Sequence, residues 1–96
     1  MRERYLQLLQ SLTETDGAPG HEGPVKAVIR EELQSTATLT EGRMGSLIAE
    51  ARGNGGGPKI LLASHMDEVA FLVREITPDG FIRFAALGDW WTQVLL

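Results

Sequence analysis

The sequence contains no cysteine. That excludes a disulfide framework and any thiolate metal site, and it fits the cytoplasmic location expected here. Long hydrophobic runs are also missing. Met1-Arg2-Glu3-Arg4-Tyr5 is charged and leads into a helix interrupted by polar residues, so neither a secretory signal nor a membrane span is expected. Positive charge is not in excess: nine Lys and Arg stand against thirteen Asp and Glu, for a net charge of −4. A nucleic-acid partner would want a basic face, and none is offered. No internal repeat occurs. The glycine-rich Gly53–Pro58 stretch lacks the following Lys-Ser/Thr and the helix that a phosphate-cradling loop needs, so a plain connection is expected there.

What is present suits one small domain or part of a larger one, with 43% apolar and 23% charged residues. Tyr5, Leu8, Leu9 and Leu12 recur at helical spacing and predict an amphipathic helix, ended by Asp16-Gly17 and Pro19-Gly20. A second helix is predicted from near Glu22–Pro24 to about Gln34. Its buried stripe is Val25, Val28, Ile29 and Leu33, and Glu22 stands four residues before Lys26. Ala37–Thr40 reads as a strand, followed by a turn between Gly42 and Gly45. Ser46–Ala51 reads as another, with the Asn-Gly turn joining it to a strand at Lys59–Ser64. Val69–Ile76 and Phe81–Ala86 predict two further strands around Thr77-Pro78-Asp79-Gly80. Trp90 and Trp91 are expected in a core or interface rather than as a stacking platform. The closing Val94-Leu95-Leu96 resembles a strand cut in mid-run, as in the N-terminal part of a longer protein.

The chain is organised around Lys59–Val69. Ile60–Ala63 reads as a strand buried on both faces, and it ends in Ser64-His65-Met66-Asp67-Glu68. Ligand chemistry gathers just outside the carboxyl ends of such strands. On extended backbone His65 and Asp67 project from the same side. Imidazole is the commonest metal ligand, and its second ring nitrogen usually donates to a carboxylate that fixes tautomer and orientation. His-x-Asp therefore suits a ligand, His65, with its orienting acid, Asp67; a surface or capping His is the plainer alternative. Glu68 should point away, and His21 is expected in a loop or cap outside the site.

Ser64-His65-Met66-Asp67-Glu68-Val69 and the following Ala70-Phe71-Leu72-Val73 resemble the "AHMDEVGFLV" signature of the glutamyl and deblocking aminopeptidases. These are dinuclear metallopeptidases that include the tetrahedral TET aminopeptidases. Gly17-Ala18-Pro19-Gly20-His21-Glu22 is similar to that family's "G-x-x-G-x-E" turn. Met44–Ala49 is similar to "LGNLIA", with Ser46 where Asn is usual. Phe81–Phe84 and Leu87–Leu96 are similar to "GFLRF…LGGWWPQVLL". The likeness runs along essentially the whole chain, and its most specific part is His65–Glu68.

The resemblance implies an α/β fold: the N-terminal part of a mixed-sheet metallo-aminopeptidase domain, followed by the first strands of an inserted β-domain. Residues 1–68 would belong to the catalytic domain and 69–96 to the β-rich dimerisation insert. It implies two divalent ions (zinc or cobalt) in the full-length parent, with His65 as a terminal ligand oriented by Asp67. The remaining ligands and the catalytic Glu would lie downstream. Peptides would be trimmed from their N-termini by a metal-activated water, in homo-oligomers from dimers to dodecamers. A 96-residue chain with one part of that site should be inactive alone. Some relatives carry an endoglucanase label, but glycoside hydrolysis needs two carboxyl groups facing each other across a bond. Asp67 and Glu68, adjacent in sequence, do not make that clamp. The alternative is a small non-catalytic binding or assembly module, with edge strands in the Phe71–Ile76 and Phe81–Ala86 regions open to a partner.

Overall fold

The computed structural model describes residues 1–95. The first helix, α1, covers Arg2–Glu14, and α2 covers Gly23–Leu33. Of the expected apolar face of α1, Leu8 and Leu12 are half-buried, while Tyr5 and Leu9 stay exposed. Along α2, Val25 is buried and Val28, Ile29 and Leu33 are half-buried. The end of α1 differs from the expected glycine stop. Thr15 is already extended (φ −83°, ψ 131°), and the hydroxyls of Thr13 and Thr15 return to the carbonyls of Leu9, Gln10 and Ser11. Of the last turn's unpaired carbonyls, that of Ser11 thus gains a partner before Gly17 is reached. Of the two nearby glycines only Gly20 has positive φ, at 83°.

Pro24 occupies the first turn of α2, as its missing N–H favours. Lys26 pairs with Glu41 rather than with Glu22: its Nζ and the Arg30 guanidinium donate to the two Glu41 oxygens at 3.3 and 2.5 Å. Glu22 instead accepts from the Gly20 N–H at 2.8 Å and so braces the preceding turn.

Strands β1 (Thr38–Glu41) and β2 (Leu47–Glu50) form an antiparallel hairpin, with Leu39 opposite Ala49 and Thr40 opposite Ile48. Its turn is closed by Gly42 N–H to Ser46 O at 2.9 Å, with Gly45 at φ 86°. This corrects the pairing read from the sequence. The partner of β2 is β1, and the expected strand at Lys59–Ser64 is absent among the described residues. Ile60, Leu61 and Leu62 are 81, 89 and 90% exposed, not buried on both faces. A doubly buried strand needs a hydrogen-bonded neighbour and a covering layer, and no described strand lies beside this run.

Strands β3 (Ala70–Ile76) and β4 (Ile82–Leu87) make the second antiparallel pair, with a bulge between Val73 and Glu75. The expected turn joins them. Thr77 closes it three times: its N–H donates to Phe81 O, its carbonyl accepts from Gly80, and its hydroxyl accepts from the Phe81 N–H. Trp90 stacks on Phe71 with centroids 4.2 Å apart, and its indole N–H donates to Ala70 O. Trp91, expected in a core or interface, is 78% exposed. Thr92–Val94 is a 3-10 turn rather than a continuing strand, and Leu96 lies outside the described residues. No described helix is long and apolar enough to cross a membrane.

Candidate functional site

His65 and Asp67 meet although the strand meant to carry them does not form. The imidazole Nδ1 lies 3.0 Å from Asp67 Oδ1 and 2.9 Å from the Asp67 backbone carbonyl. Both neighbours are acceptors, the carboxylate when ionised, so Nδ1 must carry the hydrogen and donate to them. In the neutral ring that leaves the lone pair on Nε2. The ring is 83% exposed, with Asp67 at its other side. This is the arrangement a histidine adopts when its far nitrogen is to bind a metal.

The backbone that holds the pair is anchored from the other end of the chain. The Glu68 N–H donates to Gly17 O at 2.7 Å. Gly17 itself is buried, between Val25 and the Met66 carbonyl. Glu68 thus enters the site through its amide. A groove of about 810 Å³ opens beside the pair, between Val25, Ile29 and Leu33 of α2 and Ser46, Leu47 and Ala49 at β2. His65, Met66 and Asp67 form part of its wall.

His21 lies in a turn, its N–H bonded to Ala18 O at 2.8 Å. Among the described residues no three His, Cys, Asp or Glu side chains gather closely enough to hold an ion. His65 and Asp67 are the one histidine–carboxylate pair in contact among the described residues. Gly17, Val25 and Met66 were missed as parts of the site because Asp16-Gly17 resembles a helix stop, and nothing local links it to Met66.

The sequence pattern of the M42 glutamyl aminopeptidases matches residues 45–96, which include His65 and Asp67. The chain is 38% identical to the putative aminopeptidase FrvX of Escherichia coli over 92 residues, 95% of this chain and 25% of that protein. It is 34% identical to the glutamyl aminopeptidase of Lactococcus lactis over 84 residues, 85% of this chain and 24% of that one. The crystal structure of a TET aminopeptidase from a marine-sediment Thaumarchaeota archaeon superposes with a TM-score of 0.84 at 36% identity. That match covers 97% of this chain and 26% of the archaeal one. The chain thus spans about a quarter of the length of the relatives it matches. A pattern match over more than half its residues, with agreement in fold along nearly all of it, makes this chain a member of the M42 glutamyl aminopeptidase family.

Proposed function

We propose that this chain contributes one corner of the metal centre of an aminopeptidase, with His65 as a ligand through Nε2 and Asp67 holding its ring. The observation that carries the reading is the pair of bonds from His65 Nδ1 to Asp67. They fix the tautomer that leaves Nε2 free to bind. Imidazole with carboxylate support suits zinc or cobalt. A pair of such ions, when bound, supplies polarisation of the scissile carbonyl and acidification of the attacking water. The residues of this chain hold and aim the imidazole, and the groove beside them offers room for a peptide end. The substrates would be peptides cleaved at the N-terminus, as the names of the relatives suggest.

On this reading residues 1–68 belong to the catalytic unit and 69–96 begin an inserted β-unit, through which copies associate in the cytoplasm. Exposed Phe71, Val73, Ile76 and Ile82 support association through that hairpin. A non-catalytic assembly module is the second reading, favoured by the lack, among the described residues, of any three His, Cys, Asp or Glu side chains close enough to hold an ion.

Release of a chromogenic aminoacyl amide, with and without added zinc or cobalt, tests the first reading. The intact gene product should show chelator-sensitive cleavage that His65→Ala abolishes. The isolated 96-residue chain should show none. Cleavage indifferent to chelator and to His65→Ala would remove the metal role.

A further inference from the structure

Gly17 has no conformational reason to be glycine. It is absent from the positive-φ residues, which are Gly20, Gly45, Gly55, Gly80 and Gly88. Any L-residue tolerates its backbone, yet it is buried and a side chain has no room there. A Cβ on Gly17 would lie 2.8 Å from Val25 Cγ2 and 3.0 Å from Met66 O. No other described glycine is so confined. What Gly17 supplies is close approach of two backbones.

The approach bears on one peptide group. The Asp67–Glu68 peptide presents its N–H to Gly17 O at 2.7 Å and its C=O to His65 Nδ1 at 2.9 Å. The preceding peptide carries Met66 O, the atom that a Cβ on Gly17 would press. Both peptide planes meet at Asp67 Cα, from which the carboxylate reaches the same ring nitrogen. Hydrogen bonds in such a chain polarise and orient one another.

We infer that Gly17 is a positioning residue for His65: its carbonyl and its missing side chain fix the Asp67–Glu68 peptide, and that peptide aims the imidazole. The inference rests on the proposed metal role of His65. It adds a backbone relay, Gly17 to Glu68 N–H and Asp67 C=O to His65, beside the carboxylate.

The test is metal binding by the intact gene product, with Co(II) as probe, read by chelator competition and by the visible spectrum. Loss of a supporting partner of a metal-bound histidine typically weakens binding about 10–100-fold. Gly17→Ala should weaken Co(II) binding about tenfold and alter the spectrum. Gly17→Ala/Val25→Ala, which frees space on the far side of the new methyl, should return affinity to within about threefold of wild type even as core packing is lost. A general stabilising role predicts the reverse, a double variant worse than either single one. By linkage, Co(II) should also slow exchange of the Glu68 amide in the unmodified protein about tenfold. That measurement does not depend on the variants folding. Unchanged Co(II) affinity in Gly17→Ala, a double variant weaker than the single, or an indifferent Glu68 amide would each overturn the inference. His65→Ala separates the two levels. If it leaves Co(II) binding unchanged, the metal role fails; if it loses an ion while Gly17→Ala does not, only the relay fails.

Discussion

At the scale of single residues, the nitrogen of His65 that faces Asp67 has two acceptors, not one. The side-chain oxygen and the backbone carbonyl lie within 0.1 Å of the same distance, 3.0 and 2.9 Å. Asp67→Ala removes the first and leaves the second. We expect it to weaken Co(II) binding about tenfold in the intact gene product, near the lower end for loss of such a partner. His65→Ala should remove the ion bound there. Equal losses in the two variants would show that the carbonyl contributes nothing. The His65–Asp67 pairing was legible because a two-residue spacing keeps side chains together on any extended backbone. The contact therefore survives the absence of the strand. Gly17 was not legible, since its constraint is set by Val25 and Met66, which the chain brings to it only on folding.

Among the elements, the two helices and the strands of the two hairpins formed near their expected bounds, and the strand at Lys59–Ser64, which needs distant partners, did not. The β3–β4 turn is closed by bonds among Thr77, Gly80 and Phe81, within five residues of sequence, and it forms as read. With Gly80 at φ 84°, Gly80→Ala should destabilise the hairpin by about 1 kcal/mol, measured as a urea midpoint shift in the intact gene product. The run Ile60–Ala63 carries the composition of a central strand, but a central strand is made by its neighbours. The contact between α2 and β1 adds a pH dependence. Hydrogen bonding and charge from Lys26, followed by the charge of Arg30, hold the Glu41 carboxyl below its ordinary value. A carboxylate depressed on folding stabilises above its unfolded pKa, and that contribution fades as pH falls through the folded value. The urea midpoint difference between wild type and Glu41→Gln should thus be largest near neutral pH. It should vanish in acid, and salt should shrink it because the group is exposed. A difference that grows on acidification would contradict the assignment.

For the whole molecule, the deciding quantity is apolar surface. Val25 is the one buried apolar side chain among the described residues, while Ile60, Leu61, Leu62, Phe81 and Ile82 are each more than half exposed. The radius of gyration is 18.0 Å, against about 12.5 Å for a compact chain of this length. Burial at about 25 cal/mol per Å² is the main offset to chain entropy, and here most of that surface remains in water. The two hairpins and the helix pair are consequently held by local hydrogen bonds and a few ion pairs at the surface, which contribute little each. The 96-residue chain by itself should bind an apolar dye such as ANS, unfold in urea without a sharp transition, and self-associate as concentration rises. The relatives, of which it matches about a quarter, are longer chains. Leu61→Lys separates the two situations. At 89% exposure it should change the isolated chain little, by less than about 0.5 kcal/mol. In a longer polypeptide that pairs and covers the Ile60–Ala63 run, an unpaired buried ammonium should cost several kcal/mol and disturb His65 next to it. Parallel urea curves for the two lengths, with and without Leu61→Lys, measure whether that run becomes the central strand its composition describes. If the substitution is tolerated equally in both, the run is a surface segment and His65 must be held by Asp67 and Gly17 alone.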